Sequence, residues 1–220
     1  MQKVHISIEG NIGVGKSTLL SKIYKHFKKN EKVSCAWEPL DEWDNNGFLG
    51  DMYSERIEHA EFQHMVISSM FHKSFMGLST SEILIQERSI DSAFEVFTKN
   101  NVENTRSIDM LKYSYDKLKE SLEETFSSRK VRIYLRVPPF VAFSRVCQRS
   151  RSSESNMTEE YITNINNSYE EWLGLSSNTS NTDEIIKIDA SRSIQDVTQD
   201  VIRTISSIVQ PNGLEPKKLF

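Results

Sequence analysis

The stretch from Val4 to Leu20, VHISIEGNIGVGKSTLL, constrains this chain more than any other. Val4, Ile6 and Ile8 alternate with His5, Ser7 and Glu9, the period of a half-buried strand, and Leu19, Leu20 and Ile23 open the apolar face of a helix. Between them stands Gly10-x-x-x-x-Gly15-Lys16-Ser17, the pattern of a phosphate-binding loop. The backbone from Gly10 through Asn11, Ile12, Gly13, Val14 and Gly15 can curl with its N–H groups turned inward. The helix adds its positive end at Lys16, Ser17 and Thr18. Lys16 is then a mobile charge for the β- and γ-phosphates and Ser17 a hydroxyl for Mg²⁺. A nucleoside triphosphate is the expected ligand.

At 220 residues the chain suits one α/β domain over residues 1–210, with 211–220 as a tail. A formal charge of −4 gives no case for a polymeric nucleic-acid partner. The charge is unevenly placed, however. From Arg129 to Ser153 there are seven basic residues and no acidic one, which suits a small polyanion such as a nucleotide. Cys35 and Cys147 match neither a disulfide scaffold nor a zinc site and read as reduced core thiols. No run approaches 18 apolar residues, and the first strand starts too early for a signal or transit sequence, so no membrane association and a cytoplasmic location are expected.

Beyond the loop, helix and strand patterns alternate. The spacing predicts a helix to about Lys29, a buried strand over 33–37, a loop or short helical excursion over 40–50, and a helix over 54–74 with Phe62, Val66 and Met70 on one stripe. Strands follow at 82–86, 131–137 and 185–188, with helices at about 107–126, 139–148, 159–173 and 196–209 and a loop over 175–183. Strands separated by helices make a parallel sheet covered on both faces, and ligands gather where its strands end.

Glu38 and Glu87 close the second and third strands, at the rim where the loop holds phosphate. One can act as base toward a hydroxyl and the other can help position Mg²⁺, while Arg88 neutralises a transferred phosphoryl group or orients its acceptor. Arg145 and Arg149 share a helix face, and Arg151 can turn toward the same phosphates; a planar guanidinium offers them a two-pronged bond. The five histidines show no ligand pattern and read as structural or surface groups.

This combination resembles the deoxynucleoside kinases, which phosphorylate the 5′-hydroxyl of deoxyribonucleosides. The resemblance rests on EGNIGVGKST at Glu9–Thr18, EPLDEW at Glu38–Trp43, Phe62-Gln63, Glu87-Arg88-Ser89, RSRSSE at Arg149–Glu154 and YEEWL at Tyr169–Leu173, in order over residues 3 to about 205. It implies a P-loop kinase fold with a five-stranded parallel sheet and an arginine lid at about 145–158. ATP would be the donor, Mg²⁺ the metal, a deoxyribonucleoside the substrate and a second copy of the chain the partner in a homodimer. By resemblance Glu38 is the general base, Arg88 lies by the 5′-hydroxyl and the phosphate in transfer, and Glu87 assists at the metal. Gln63 would pair with the base edge, Trp43 and Phe97 would line or stack on it with Phe62 nearby, and Tyr53 and Glu154 would hold the sugar 3′-hydroxyl. Arg145, Arg149 and Arg151 would close over ATP.

In deoxycytidine-selective relatives an Asp stands where this chain has Ala93. The set Val66, Met70 and Ala93 resembles the thymidine-accepting and broad-specificity insect-type or mitochondrial members. It implies thymidine and deoxycytidine as substrates, with purine nucleosides poorer. Asp91 departs from the family's usual aromatic; facing solvent is its favoured reading, with pairing to Arg88 or retuning of the metal site as alternatives. The rival functions are a thymidylate-type nucleoside-monophosphate kinase, which needs a further cationic site for its acceptor's phosphate, and a P-loop NTPase acting as a switch or interaction module without an acceptor.

Overall fold

The computed structural model describes residues 2–151, 154, 156–174 and 183–209. Strand β1 (Lys3–Glu9) runs into the glycine loop and helix α1 (Lys16–Phe27), then β2 (Val33–Ala36), α2 (Leu40–Asn45), α3 (Phe48–Tyr53), α4 (His59–Thr80) and β3 (Ile83–Glu87). A continuous helical stretch follows, made of α5 (Ile90–Ser92), a π-type turn (Ala93–Thr98) and α6 (Lys99–Asn101). The chain continues through α7 (Thr105–Thr125), β4 (Ser128–Arg136), α8 (Pro139–Arg149), α9 (Glu159–Tyr169), a second π-type turn (Glu170–Gly174), β5 (Glu184–Asp189) and α10 (Ile194–Val209). Among the described residues no helix is long and apolar enough to cross a membrane.

The five strands are parallel in the order β2-β3-β1-β4-β5. From β1 the chain builds β2 and β3 on one side and β4 and β5 on the other, so the strand order reverses at β1. The crevice for a ligand therefore opens past its carboxyl end, where the glycine loop stands. On one face Ile6, Ile8, Ile85 and Ile133 pack with Leu20 and Ile23 of α1 and Val201 and Ile205 of α10. On the other, Leu84 meets Ile67 and Met70 of α4 and Tyr115 of α7.

Several expectations change here. β1 is buried on both faces, since helices cover both sides of a parallel sheet, and its polar residues His5, Ser7 and Glu9 lie in the interior. β2 is an edge strand and only half-buried, which leaves Cys35 partly covered. Cys147 is exposed: Val146 takes the inward face of α8, and one residue further on the helix turns the thiol toward solvent. Helix α4 starts at His59 because Glu58 makes a capping box with Glu61, whose carboxylate accepts the Glu58 amide at 3.1 Å. The 40–50 stretch is two short helices, and the helix after Glu159 loosens into a π-type turn at Glu170. Residues 175–182 of the expected loop, the 211–220 tail and positions 152, 153 and 155 of the expected lid lie outside the described residues.

His5 is buried among charged neighbours; burial first, and then Arg132, lower its pKa to about 4. A base depressed below its unfolded value of 6.5 leaves the unfolded chain holding more protons between pH 6.5 and 4. Stability therefore falls as the pH drops from 6.5 to 4. His5→Gln is expected to remove roughly 3 kcal/mol of the acid loss, read as the difference between wild-type and variant denaturation midpoints at pH 7 and pH 4. Parallel midpoint curves would reject it.

Candidate active site

One cleft at the carboxyl end of the sheet gathers residues from the glycine loop, α1, the segment just after β2, α2, α3, α4, β3 and the turn after it, the first π-type turn, α6, the end of α8, the segment beyond it and α9. At its phosphate end stand Ile12, Gly13, Gly15, Lys16, Ser17 and Thr18. Lys16 is held back onto its own loop, donating to the Gly10 carbonyl at 3.0 Å and the Asn11 carbonyl at 2.8 Å. Burial, and then the charge of Arg88, bring its pKa down to about 7 against the pull of Glu87 and Glu38. Asn11 braces the loop by donating its amide to the Ile162 carbonyl at 2.8 Å and accepting the Ile12 N–H at 2.8 Å. Gly10, Asn11 and Val14 form the frame of the loop and do not line the cleft.

Beside the glycine loop Ser17 donates to Glu87 at 2.7 Å. Burial, and then Glu38, raise the Glu87 pKa, while Lys16, Ser17 and Arg88 oppose the shift. Arg88 donates to Glu38, and both side chains are less than a tenth exposed. Burial works most strongly against the Arg88 charge, but Glu38, Tyr169 and Glu87 together outweigh it and the guanidinium stays charged. Its flank lies on the Phe97 ring at 4.5 Å, and its backbone is left-handed at φ 59°.

The far end is apolar, with Val66, Met70, Ala93 and Phe62 all buried and Trp43 edge-on to Phe62 at 6.0 Å. Gln63 sits among them, and its Oε1 is buried with no partner among the described residues. The π-type turn, closed by the Thr98 hydroxyl on the Ala93 carbonyl at 3.0 Å, brings both Ala93 and Phe97 to the cleft wall; such turns recur at functional sites. At the mouth Arg149 makes a forked bond to Glu154, at 2.8 and 2.5 Å, and Arg151 stands 3.7 Å from the same carboxylate, with Tyr53 alongside.

Two sequence expectations place differently. Arg145 donates both terminal nitrogens to the Ala190 carbonyl at 3.3 Å and does not line the cleft, because one helical turn back from Arg149 is roughly 6 Å further along the axis. Asp91 does not face solvent. It is buried against Arg132 and Lys119, partners 41 and 28 positions away in the chain, which no local pattern could pair with it. Tyr161, Asn101, Leu49 and Met52 also line the cleft. In the sequence Tyr161 recurs with Ile165, Tyr169 and Trp172 at helical spacing, the usual sign of core and no pointer to a cleft.

The donor set fits a metal-bound nucleotide. A hydroxyl and a carboxylate in contact are hard oxygen ligands, and no group of three or more His, Cys, Asp or Glu among the described residues could hold a metal by itself. An ion there would complete its shell with phosphate oxygens and water, as Mg²⁺ usually does. The model of the deoxynucleoside kinase family matches residues 6–210. The chain belongs to the deoxynucleoside kinase family. This deoxynucleoside kinase is 30% identical over 209 residues to a putative kinase protein, 029R, of Invertebrate iridescent virus 3, covering 92% of this chain and 96% of that one. It is 30% identical over 202 residues to the thymidine kinase of Ictalurid herpesvirus 1, covering 90% and 84%. Against the human mitochondrial thymidine kinase 2 it is 28% identical over 179 residues, covering 78% and 65%. As a member of the family it is a phosphotransferase that moves phosphate from ATP to a deoxynucleoside.

Proposed function

We propose that this kinase phosphorylates the 5′-hydroxyl of thymidine and deoxycytidine, with purine deoxynucleosides poorer acceptors. The observation that carries the reading is the uncharged wall of Val66, Met70 and Ala93 around Gln63. A Gln amide offers one donor and one acceptor to a pyrimidine edge and can turn to suit either base. A wall without a carboxylate at position 93 leaves space for the thymine methyl group and gives cytosine no charged partner. Relatives named for thymidine, deoxyguanosine and deoxyadenosine kinase activity lie between 28% and 30% identity, so their names do not rank the substrates.

MgATP supplies the γ-phosphoryl group and, through the metal, neutralises part of its charge. Lys16 would leave the Gly10 and Asn11 carbonyls for the phosphates, and Ser17 with Glu87 would hold the ion. Glu38 accepts the proton of the 5′-hydroxyl, and Arg88, already charged beside it, stabilises the oxygens in transfer. Tyr53 and Glu154 hold the 3′-hydroxyl, and Arg149 and Arg151 turn from Glu154 toward the phosphates to exclude water.

The test is transfer from MgATP to thymidine, deoxycytidine, deoxyadenosine, deoxyguanosine and thymidine monophosphate, with an acceptor-free control. The two pyrimidine nucleosides are expected to lead. Turnover confined to thymidine monophosphate would replace this acceptor assignment. In Ala93→Asp the kcat/KM ratio of deoxycytidine to thymidine is expected to rise about tenfold or more, and an unchanged ratio would reject the pocket reading.

A further inference from the structure

Arg132 of β4 is 4% exposed and makes four bonds through its guanidinium. Nη2 donates to Asp91 at 2.6 Å and to Asp183 at 2.5 Å, Nε donates to Asp183 at 3.0 Å, and Nη1 donates to the Ser89 hydroxyl at 3.3 Å. The Trp172 ring lies under the same group at 4.8 Å. Asp91 is satisfied on its other oxygen by the Tyr115 hydroxyl at 2.5 Å and by Lys119 at 3.2 Å, and Tyr115 is stacked on Phe94 at 4.8 Å. Two acids and two bases are thus neutralised together.

A buried ionic cluster of this kind is weak evidence for stability, since well-packed apolar residues often do as well. What a fork of fixed geometry adds is direction. Two of its targets, Ser89 and Asp91, stand one and three positions after Arg88, whose left-handed backbone costs about 1–2 kcal/mol and persists only where its surroundings over-determine it. Ser89 also caps the turn, its hydroxyl accepting the Ser92 N–H while the Ser92 hydroxyl accepts the Ser89 N–H, each at 3.2 Å. On the near side the Arg88 amide is anchored to the Ile8 carbonyl at 3.0 Å.

We propose that Arg132, clamped by Asp91 and Asp183, is a positioning residue for phosphoryl transfer: through Ser89 and Asp91 it holds the turn that aims Arg88 at the phosphate. Arg132, Asp91 and Asp183 do not line the cleft, and of the groups they hold only Ser89 does. Trp172 and Asp183 extend it to the second π-type turn and to the residue before β5, so the aim of Arg88 depends on β4 and the segments on either side of 175–182. The inference rests on Arg88 acting on the transferred group.

A kinetic cycle of Arg88→Lys, Arg132→Lys and the double variant tests it, with kcat, both KM values and thermal midpoints measured with MgATP and the best nucleoside acceptor. Arg132→Lys keeps the charge and loses the fork; kcat is expected to fall about 10- to 100-fold with both KM values within about twofold. The double variant is expected to be no slower than Arg88→Lys, because one residue acts through the other. Losses that multiply, or a lowered midpoint with unchanged kcat in Arg132→Lys, would overturn the proposal. Full kcat in Arg88→Lys would overturn the reading of Arg88 itself, a different failure. Should Arg132→Lys not fold, Tyr115→Phe takes its place in the cycle: it keeps the ring stacked on Phe94 and removes the bond to Asp91 together with the one accepted from Lys119 at 3.2 Å. Its loss is then expected to disappear in the Arg88→Lys background, and a loss that persists there overturns the proposal.

Discussion

Glu38→Gln lowers kcat about 10²- to 10⁴-fold, the range a positioned general base contributes, while nucleoside binding changes little. Gln matches Glu in size and still presents an oxygen to Arg88, so the contact at the end of β2 survives, but an amide cannot take the 5′-hydroxyl proton. The two side chains are almost fully buried, and removing the acid altogether would strand the guanidinium at a cost of about 3–5 kcal/mol. Gln therefore separates chemistry from folding better than Ala. Single-turnover phosphoryl transfer at saturating MgATP and acceptor, beside a nucleoside dissociation constant, makes the comparison. Wild-type turnover in the variant would remove Glu38 from the role of base.

Gly13→Ala is the substitution with the largest expected structural effect, a loss of about 2–5 kcal/mol. Gly13 has φ 83°, and a Cβ there would run into the Ala142 carbonyl oxygen, with the carbonyl carbon 3.1 Å and Val146 Cγ2 3.0 Å away. Ala142 and Val146 belong to α8, the helix that carries Arg149, so either the loop or that helix must move. Gly15 is the internal control. It is also left-handed, at φ 96°, but nothing lies within 4 Å of its missing Cβ, so Gly15→Ala costs only the backbone strain of about 1–2 kcal/mol. Urea denaturation of both variants measures the difference, and equal losses would show that the Gly13 contact with α8 carries no weight. Reduced kcat in the Gly13 variant is expected alongside, because Arg149, proposed to turn toward the phosphates, ends the displaced helix.

Much of the site was legible because its parts are local. A phosphate loop must be written as glycines at fixed spacing before a Lys and a Ser, and strand ends announce themselves at Glu38-Pro39 and Glu87-Arg88. Phe62, Val66 and Met70 share one stripe of α4 by helical periodicity alone, and the structure turns that stripe, with Gln63 beside it, into the cleft wall. The resemblance supplied roles that spacing could not. Asp91 shows where this stopped: beside Glu87-Arg88-Ser89 it read as a solvated acid, since Arg132, Lys119 and Tyr115 come to it from β4 and α7. Arg145 shares a helix stripe with Arg149 yet reaches a different partner, because the end of β5, which meets it, is placed by the sheet.

By itself the sequence determined the order of strands and helices, the phosphate loop and the class of chemistry, all of which depend on residues within a few positions of one another. Tertiary structure alone decided that both faces of β1 are interior, why β2 lies at the edge, where the π-type turn brings Ala93 and Phe97 together, and how Arg132 reaches the turn after Arg88. Backbone periodicity is a local property, whereas the partner of a buried charge is chosen by whichever distant segment the sheet order carries alongside it.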